Sequence, residues 1–342
     1  MEQIYHELLI ESLPQDLTTK KVLLVGALPQ TIAMVTAQNP AHCSAFHLAY
    51  NHYTTVKNLG AVSSTYIDIA LESSVIPEET FDLILFPITK SALYNLRTLS
   101  KLQQLLSTTG VIHFVGLNSS GIKGLASKLK KQGIAQQVVV NKRGGRVLSI
   151  TSAQQVKAEL YLPKETSYQF RNKEIVVSTI PGLFSYGKSD KGTQLLLDNF
   201  PKCSGKKMLD VGCGSGVLSL AAIEAGALLV DALDLSATAV AFAQNNCAQQ
   251  SAITVLGSDM AEGAEGFYDI IITNPPFHDG IKTDLSTGER WLDSLLPHLH
   301  KGGSVWLVAN SFISYGAMGR ARFTTVERLE EKNGFVVYKM TK

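Results

Sequence analysis

The sequence predicts an α/β chain of two tandem doubly wound domains, the first a degenerate copy of the second. Three observations carry this. Short apolar runs rich in β-branched residues, such as Tyr268 to Thr273, stop at glycine or proline and alternate with helix-like stretches, the pattern of a parallel sheet. One such run, Lys207 to Val211, feeds a turn with glycine at 212, 214 and 216 and then an apolar segment, Val217 to Ala225. The same series of segments also occurs earlier in the chain, in the same order.

The repeat is specific. Lys20 to Gln30 echoes Lys206 to Gly216, Phe81 to Pro87 echoes Tyr268 to Asn274, and Thr109 to Gly116 echoes Gly302 to Ala309. The first copy has lost its polar and glycine positions. Leu24 stands for Asp210, Leu28 and Gln30 for Gly214 and Gly216, and Pro87 for Asn274. Side chains at 28 and 30 forbid close approach of a ligand to the turn, and no acid ends the second strand near Phe46 to Tyr50. The N-terminal domain is therefore expected to bind no cofactor, which leaves it scaffolding its neighbour, binding another partner, or both.

At 342 residues the chain accommodates two such domains. The polar stretch Thr151 to Tyr168 reads as the linker, dividing the chain into 1–160 and 161–342. Hydrophobic content of 45% with 18% charged residues suits a globular protein. No run of 18 apolar residues occurs, so no membrane span is expected. Met1 to Tyr5 lacks the basic and apolar regions of a signal peptide, and a cytoplasmic monomer is the expectation. The four cysteines, at 43, 203, 213 and 247, have no paired spacing, which argues against a disulfide framework and against a metal site.

In the second half, Glu174 to Ile180 reads as a strand. Pro181 to Leu197 is then a loop running into a helix, capped by Ser189 or Asp190. Placed just before the glycine strand, this segment and its Gly192 can cover a cofactor. An ordinary helix cap explains it equally well. Leu228 to Leu235 is the next strand, and its Asp234 sits where an acid grips a ribose diol. A third strand, Ile253 to Gly257, ends at Ser258 and Asp259. Beyond Asn274, Leu285 to His300 has a helical pattern and Gly303 to Asn310 a strand pattern. Phe323 to Leu329 and Phe335 to Met340 form a closing hairpin through Asn333-Gly334. Trp291 and Trp306 are expected in the core, and His298 and His300 on a helix surface.

The chemistry concentrates at two turns. A carboxylate at the tip of the glycine strand, Asp210, would repel a pyrophosphate. It would not repel the cationic amino acid end of S-adenosylmethionine, which is therefore favoured over a dinucleotide. The strand Tyr268 to Thr273 is stopped by Asn274, Pro275, Pro276 and Phe277, whose prolines stiffen the loop. Such a loop suits an exocyclic amino group, a poor nucleophile because its lone pair is delocalised into the ring. The Asn274 amide oxygen and the Pro275 carbonyl can accept its two hydrogens, and Phe277 can stack on the base for about 1–3 kcal/mol. On its own the motif is also consistent with a rigid turn and a buried phenylalanine.

Charge is divided unevenly. Residues 1–158 hold 14 Lys/Arg against 9 Asp/Glu, and the remainder 17 against 20. From Leu83 to Ala158 there are eleven cations and no acid. An acid-free stretch of that length reads as a surface for a polyanion. Lys123, Lys128, Lys130, Lys131, Lys142, Arg143 and Arg146 are the candidate RNA contacts.

Together Pro181 to Ser185, Asp210 to Ser219 and Thr273 to Gly280 resemble the ribosomal RNA small subunit methyltransferase C family, within the Rossmann-like class I S-adenosylmethionine-dependent methyltransferases. That family also places a degenerate methyltransferase domain ahead of a working one. The resemblance implies methylation of the exocyclic N2 of a specific guanine in 16S rRNA, with the small ribosomal subunit as partner. It implies Asp210, Gly212, Gly214 and Gly216 around the methionine part of the cofactor, Asp234 on the ribose and Asp259 on the adenine amino group. Asn274 and Pro275 would hold the guanine N2 beneath Phe277. Two alternatives share much of this motif set: the large-subunit guanine-N2 methyltransferases and the methyltransferases of protein glutamine side chains. A non-enzymatic RNA-binding factor would require a degraded glycine loop or Asn274, and both are intact.

Overall fold

The computed structural model describes residues 2–58, 62–66, 79–157, 163–276 and 285–342. The chain divides into two compact units, Met1–Leu162 and Pro163–Lys342. Each is built on a twisted seven-stranded sheet with apolar cores on both faces.

The first sheet contains β1 (Lys21–Val25), β2 (His42–His47), β3 (Ser63–Tyr66), β4 (Phe81–Pro87), β5 (Leu106–Leu117), β6 (Gln137–Lys142) and β7 (Gly145–Thr151). Its order is β3-β2-β1-β4-β5-β7-β6. β1 to β5 pair in parallel, while β7 runs antiparallel to both β5 and β6. The strands alternate across the sheet: Leu23 and Val25 face one core, Val22 and Leu24 the other.

After a two-stranded antiparallel ribbon of β8 (Lys164–Phe170) and β9 (Lys173–Thr179), the second unit repeats the plan. Its strands are β10 (Lys207–Val211), β11 (Leu229–Asp234), β12 (Ile253–Gly257), β13 (Tyr268–Thr273), β14 (Leu299–Asn310), β15 (Thr325–Lys332) and β16 (Phe335–Thr341). They lie in the order β12-β11-β10-β13-β14-β16-β15, the same permutation as the first sheet. The expected fold class, two tandem Rossmann-like α/β domains, is the one observed.

Three expectations need correction. The stretch read as a polar linker contains β8, whose buried positions are Thr166, Tyr168 and Phe170. The helix expected to reach His300 is α9 (Leu285–Leu295), and Pro297, which has no N–H to donate, lies in a short 3-10 turn that ends it. His300 therefore sits exposed on β14, which starts four residues earlier than expected. The second strand of the first sheet ends at His47, and Tyr50 opens a helix instead. Trp291 is buried, Trp306 only partly so. The hairpin turn at Asn333 and Gly334 takes positive φ at both residues, 52° and 80°, as its type requires.

Candidate active site

The parallel register brings the chemistry to one edge of the second sheet. Val211 pairs with Leu233 and with Thr273, and Asp234 pairs with Gly257. Gly212, Asp234, Ser258 and Asn274 therefore sit at or just past neighbouring strand ends, where open α/β sheets bind ligands. Thr273 fastens this edge by donating its hydroxyl to the Val211 carbonyl at 2.7 Å.

The glycine turn is shaped for a ligand. At Gly214 φ is +54° and an added Cβ would meet nothing within 4 Å, so the backbone faces open space. Gly216, at φ +82°, caps the helix α7 (Val217–Glu224), and a Cβ there would come to 2.9 Å of Cys247 Sγ. Asn246, at the end of the helix Ala237–Asn246, donates to the carbonyls of Ser178 and Ser215, tying the turn to β9.

Two carboxylates flank the turn. Asp210 is fully buried; its Oδ2 accepts from Ser219 at 2.6 Å, and its Oδ1 has no partner among the described residues. Burial pushes its carboxyl up to about 7, with the negative charge of Asp234 adding to the effect. An orphaned carboxylate oxygen at this depth fits a cationic ligand group. Asp234 accepts from Gly214 N and Ser236 N, both at 2.9 Å, and burial raises its carboxyl also. Each carboxylate oxygen has two lone pairs, so these bonds leave acceptors for a diol. Asp259 lies two residues past the end of β12 and is partly buried.

Asn274 lies at the tip of β13. Its amide nitrogen donates to Asp190 Oδ1 at 3.1 Å and Thr193 Oγ1 at 2.9 Å, and its buried amide oxygen has no partner among the described residues. Asp190 is the cap of α6 (Lys191–Asp198), accepting from Thr193 N at 2.7 Å. Sequence reasoning found Asp190 as a cap but missed its contact with Asn274, 84 residues away, and gave Thr193 no role beyond the helix start. Pro275 is buried beside Asn274. Phe277 lies outside the described residues. Gly192 packs on Phe335: an added Cβ would approach that ring to 2.9 Å.

The candidate RNA contacts separate into two groups. Lys123, Lys128, Lys130 and Lys131 are exposed on α5 (Ile122–Lys131), whose other face buries Ile122, Leu125 and Leu129. Lys142 and Arg143 are also exposed but form ion pairs with Glu11 and Glu7 of the helix Glu2–Glu11. Arg146 is partly buried. The acid-free stretch is thus supplied with acids by a distant segment. Among the described residues there is no cluster of possible metal ligands, and no helix long and apolar enough to cross a membrane.

A glycine turn at a strand tip, flanking acids and an Asn-Pro-Pro loop on this sheet define a methyltransferase. The methyltransferase small domain family matches residues 174–339, and its N-terminal counterpart matches residues 9–161. Ribosomal RNA small subunit methyltransferase C of Vibrio cholerae is 30% identical over 325 residues, spanning 93% of both chains. The homologous protein of Psychromonas ingrahamii is 29% identical, spanning 94% of this chain and 92% of its own. The solved structure of a Thermus thermophilus 16S rRNA guanine-N2 methyltransferase, in complex with AdoMet and guanosine, superimposes with a TM-score of 0.84 at 20% identity. It covers 99% of this chain and 92% of its own. The chain belongs to the ribosomal RNA small subunit methyltransferase C family, and is an rRNA methyltransferase.

Proposed function

We infer that the protein transfers a methyl group from S-adenosylmethionine to the exocyclic N2 of one guanine in 16S rRNA, on the small ribosomal subunit. The single observation that carries the reading is Asn274. A buried amide oxygen without a partner among the described residues, at the end of the strand beside the glycine turn, is an acceptor waiting for an N–H. The Thermus relative is named for guanine 1207, and that is the position assigned here.

Bound S-adenosylmethionine supplies an electrophilic methyl on sulfur. The residues of this chain do the rest. Gly214, between Gly212 and Gly216 in the turn, lets the backbone approach the methionine portion, and Asp210 Oδ1 accepts from its cationic amino group. Asp234 holds the ribose diol and Asp259 the adenine amino group. Asn274 Oδ1 and the Pro275 carbonyl accept the two N2 hydrogens, keep the nitrogen pyramidal and orient its lone pair. Phe277 stacks on the base, which must leave its RNA stack at a cost of a few kcal/mol. Lys123, Lys128, Lys130 and Lys131 neutralise phosphates. The enzyme acts as a monomer in the cytoplasm, where its rRNA substrate is.

The test supplies methyl-labelled S-adenosylmethionine with unmethylated small and large subunits separately, followed by digestion to nucleosides. Label in N2-methylguanosine from the small subunit alone is expected. Label in the large subunit or in protein would overturn the assignment.

A further inference from the structure

Asn274 can do its work only if its amide oxygen, not its nitrogen, faces the base. The two atoms are similar in size, and a free side chain would sample both orientations. The flipped one would set NH2 against NH2. A carboxylate only accepts hydrogen bonds, so Asp190, 3.1 Å from Asn274 Nδ2, imposes the productive orientation. Thr193 Oγ1 receives the other amide hydrogen at 2.9 Å. Both donors of the amide are thereby used, and among the described residues only the oxygen is left over.

Asp190 is itself held from several sides. Its Oδ1 accepts from Thr193 N at 2.7 Å, and its backbone N–H donates to the Tyr168 hydroxyl on β8 at 3.1 Å. Gly192 lets the carboxylate sit close, since a Cβ there would come to 3.2 Å of Asp190 Oδ1. One carboxylate oxygen thus caps α6 and orients the active amide.

We propose that Asp190 and Thr193 are positioning residues that fix the Asn274 amide with its oxygen toward the guanine N2. The inference rests on the function proposed above. The negative charge of Asp190 also acts electrostatically: bonded to the amide nitrogen, it raises electron density on the amide oxygen. That oxygen then better stabilises the positive charge N2 acquires as it is methylated. Tyr168 and Gly192 support Asp190 and touch no reacting atom.

Thr193→Val is the sharpest probe, because the α6 cap uses the Thr193 backbone N–H and survives the change. Its kcat is expected to fall roughly tenfold to a hundredfold, with affinity for S-adenosylmethionine held within about twofold by calorimetry. Thr193→Ser keeps the acceptor and is expected to restore kcat to within about threefold of the parent. Asp190→Asn keeps the shape but can present an NH2 to Asn274, and is expected to lose kcat at least about tenfold at unchanged cofactor affinity. If valine disturbs the buried site, its melting temperature falls with the rate, and Asp190→Asn then decides. Parent-like kcat in both variants overturns the proposal, as does a rate loss that cofactor affinity follows in parallel. Full activity in Asn274→Ala would instead defeat the function proposed above.

Discussion

The two units share a scaffold and differ in what hangs on it. In the first, Asp82 Oδ2 accepts from Lys21 N at 3.0 Å; in the second, Asp269 Oδ2 accepts from Lys207 N at the same distance. Gly26 N donates to Phe46 O at 2.8 Å, and Gly212 N to Leu233 O at 2.8 Å. Sheet order and the irregularity at the start of the fourth strand are repeated too. The ligand groups are not. Leu24 replaces Asp210, His47 occupies the register of Asp234, and Pro87 that of Asn274. Leu28 stands where Gly214, whose added Cβ would meet nothing within 4 Å, faces open space. Backbone devices that hold a sheet are thus separable from the side chains that use its edge.

The comparison can be broken first at Asn274. Asn274→Ala should lower kcat by about 10²–10³, the cost of losing one transition-state hydrogen-bonding group, while calorimetry shows cofactor affinity nearly unchanged. The reciprocal change Pro87→Asn should add no activity, because no glycine turn serves that edge.

Asp210 should reveal itself in the pH dependence of the cofactor-free protein. Its folded carboxyl lies near 7, above the ordinary 3.8, so the folded state binds the extra proton between those values. Its contribution therefore makes stability fall as pH rises through that window and level off above it. Asp210→Asn should flatten the slope and stabilise the cofactor-free protein at pH 8, by roughly 2–4 kcal/mol in chemical denaturation. Leu24, in the other copy, has nothing to titrate.

Asp82→Ala and Asp269→Ala sharpen the shared part. Each removes the acceptor of a backbone N–H that water can still reach, and each should cost about 0.5–1.5 kcal/mol in its own unit. A large difference between the two would mean that the scaffolds are less alike than their hydrogen bonds.

The smallest effect is expected on the basic face. Changing Lys123, Lys128, Lys130 and Lys131 to Gln should weaken RNA binding and reduce its salt slope by about 0.7–0.9 for each phosphate no longer neutralised. Lys142→Gln should do less, since Glu11 already meets that charge.

Much of this was legible in the sequence, for local reasons. β12 and β13 have the limits their apolar β-branched runs imply, and the glycine turn announces itself between a strand and a helix. What could not be read depends on distance. β8 hides because its buried face alternates with Lys164, Glu165 and Gln169. Glu7 and Glu11 reach Arg143 and Lys142 only after the first helix docks. The bond from Asn274 to Asp190 exists only once α6 lies against the end of β13. Sequence patterns report which residues could do chemistry; the fold decides which neighbours orient them.

The most direct measurement is a calorimetric titration of the whole chain with S-adenosylmethionine, repeated on Asp234→Ala and His47→Ala. One site per chain is predicted, weakened by the change at 234 and untouched by the change at 47. Two sites, or one that survives Asp234→Ala and disappears in His47→Ala, would contradict the assignment of one cofactor-binding copy beside one that binds none.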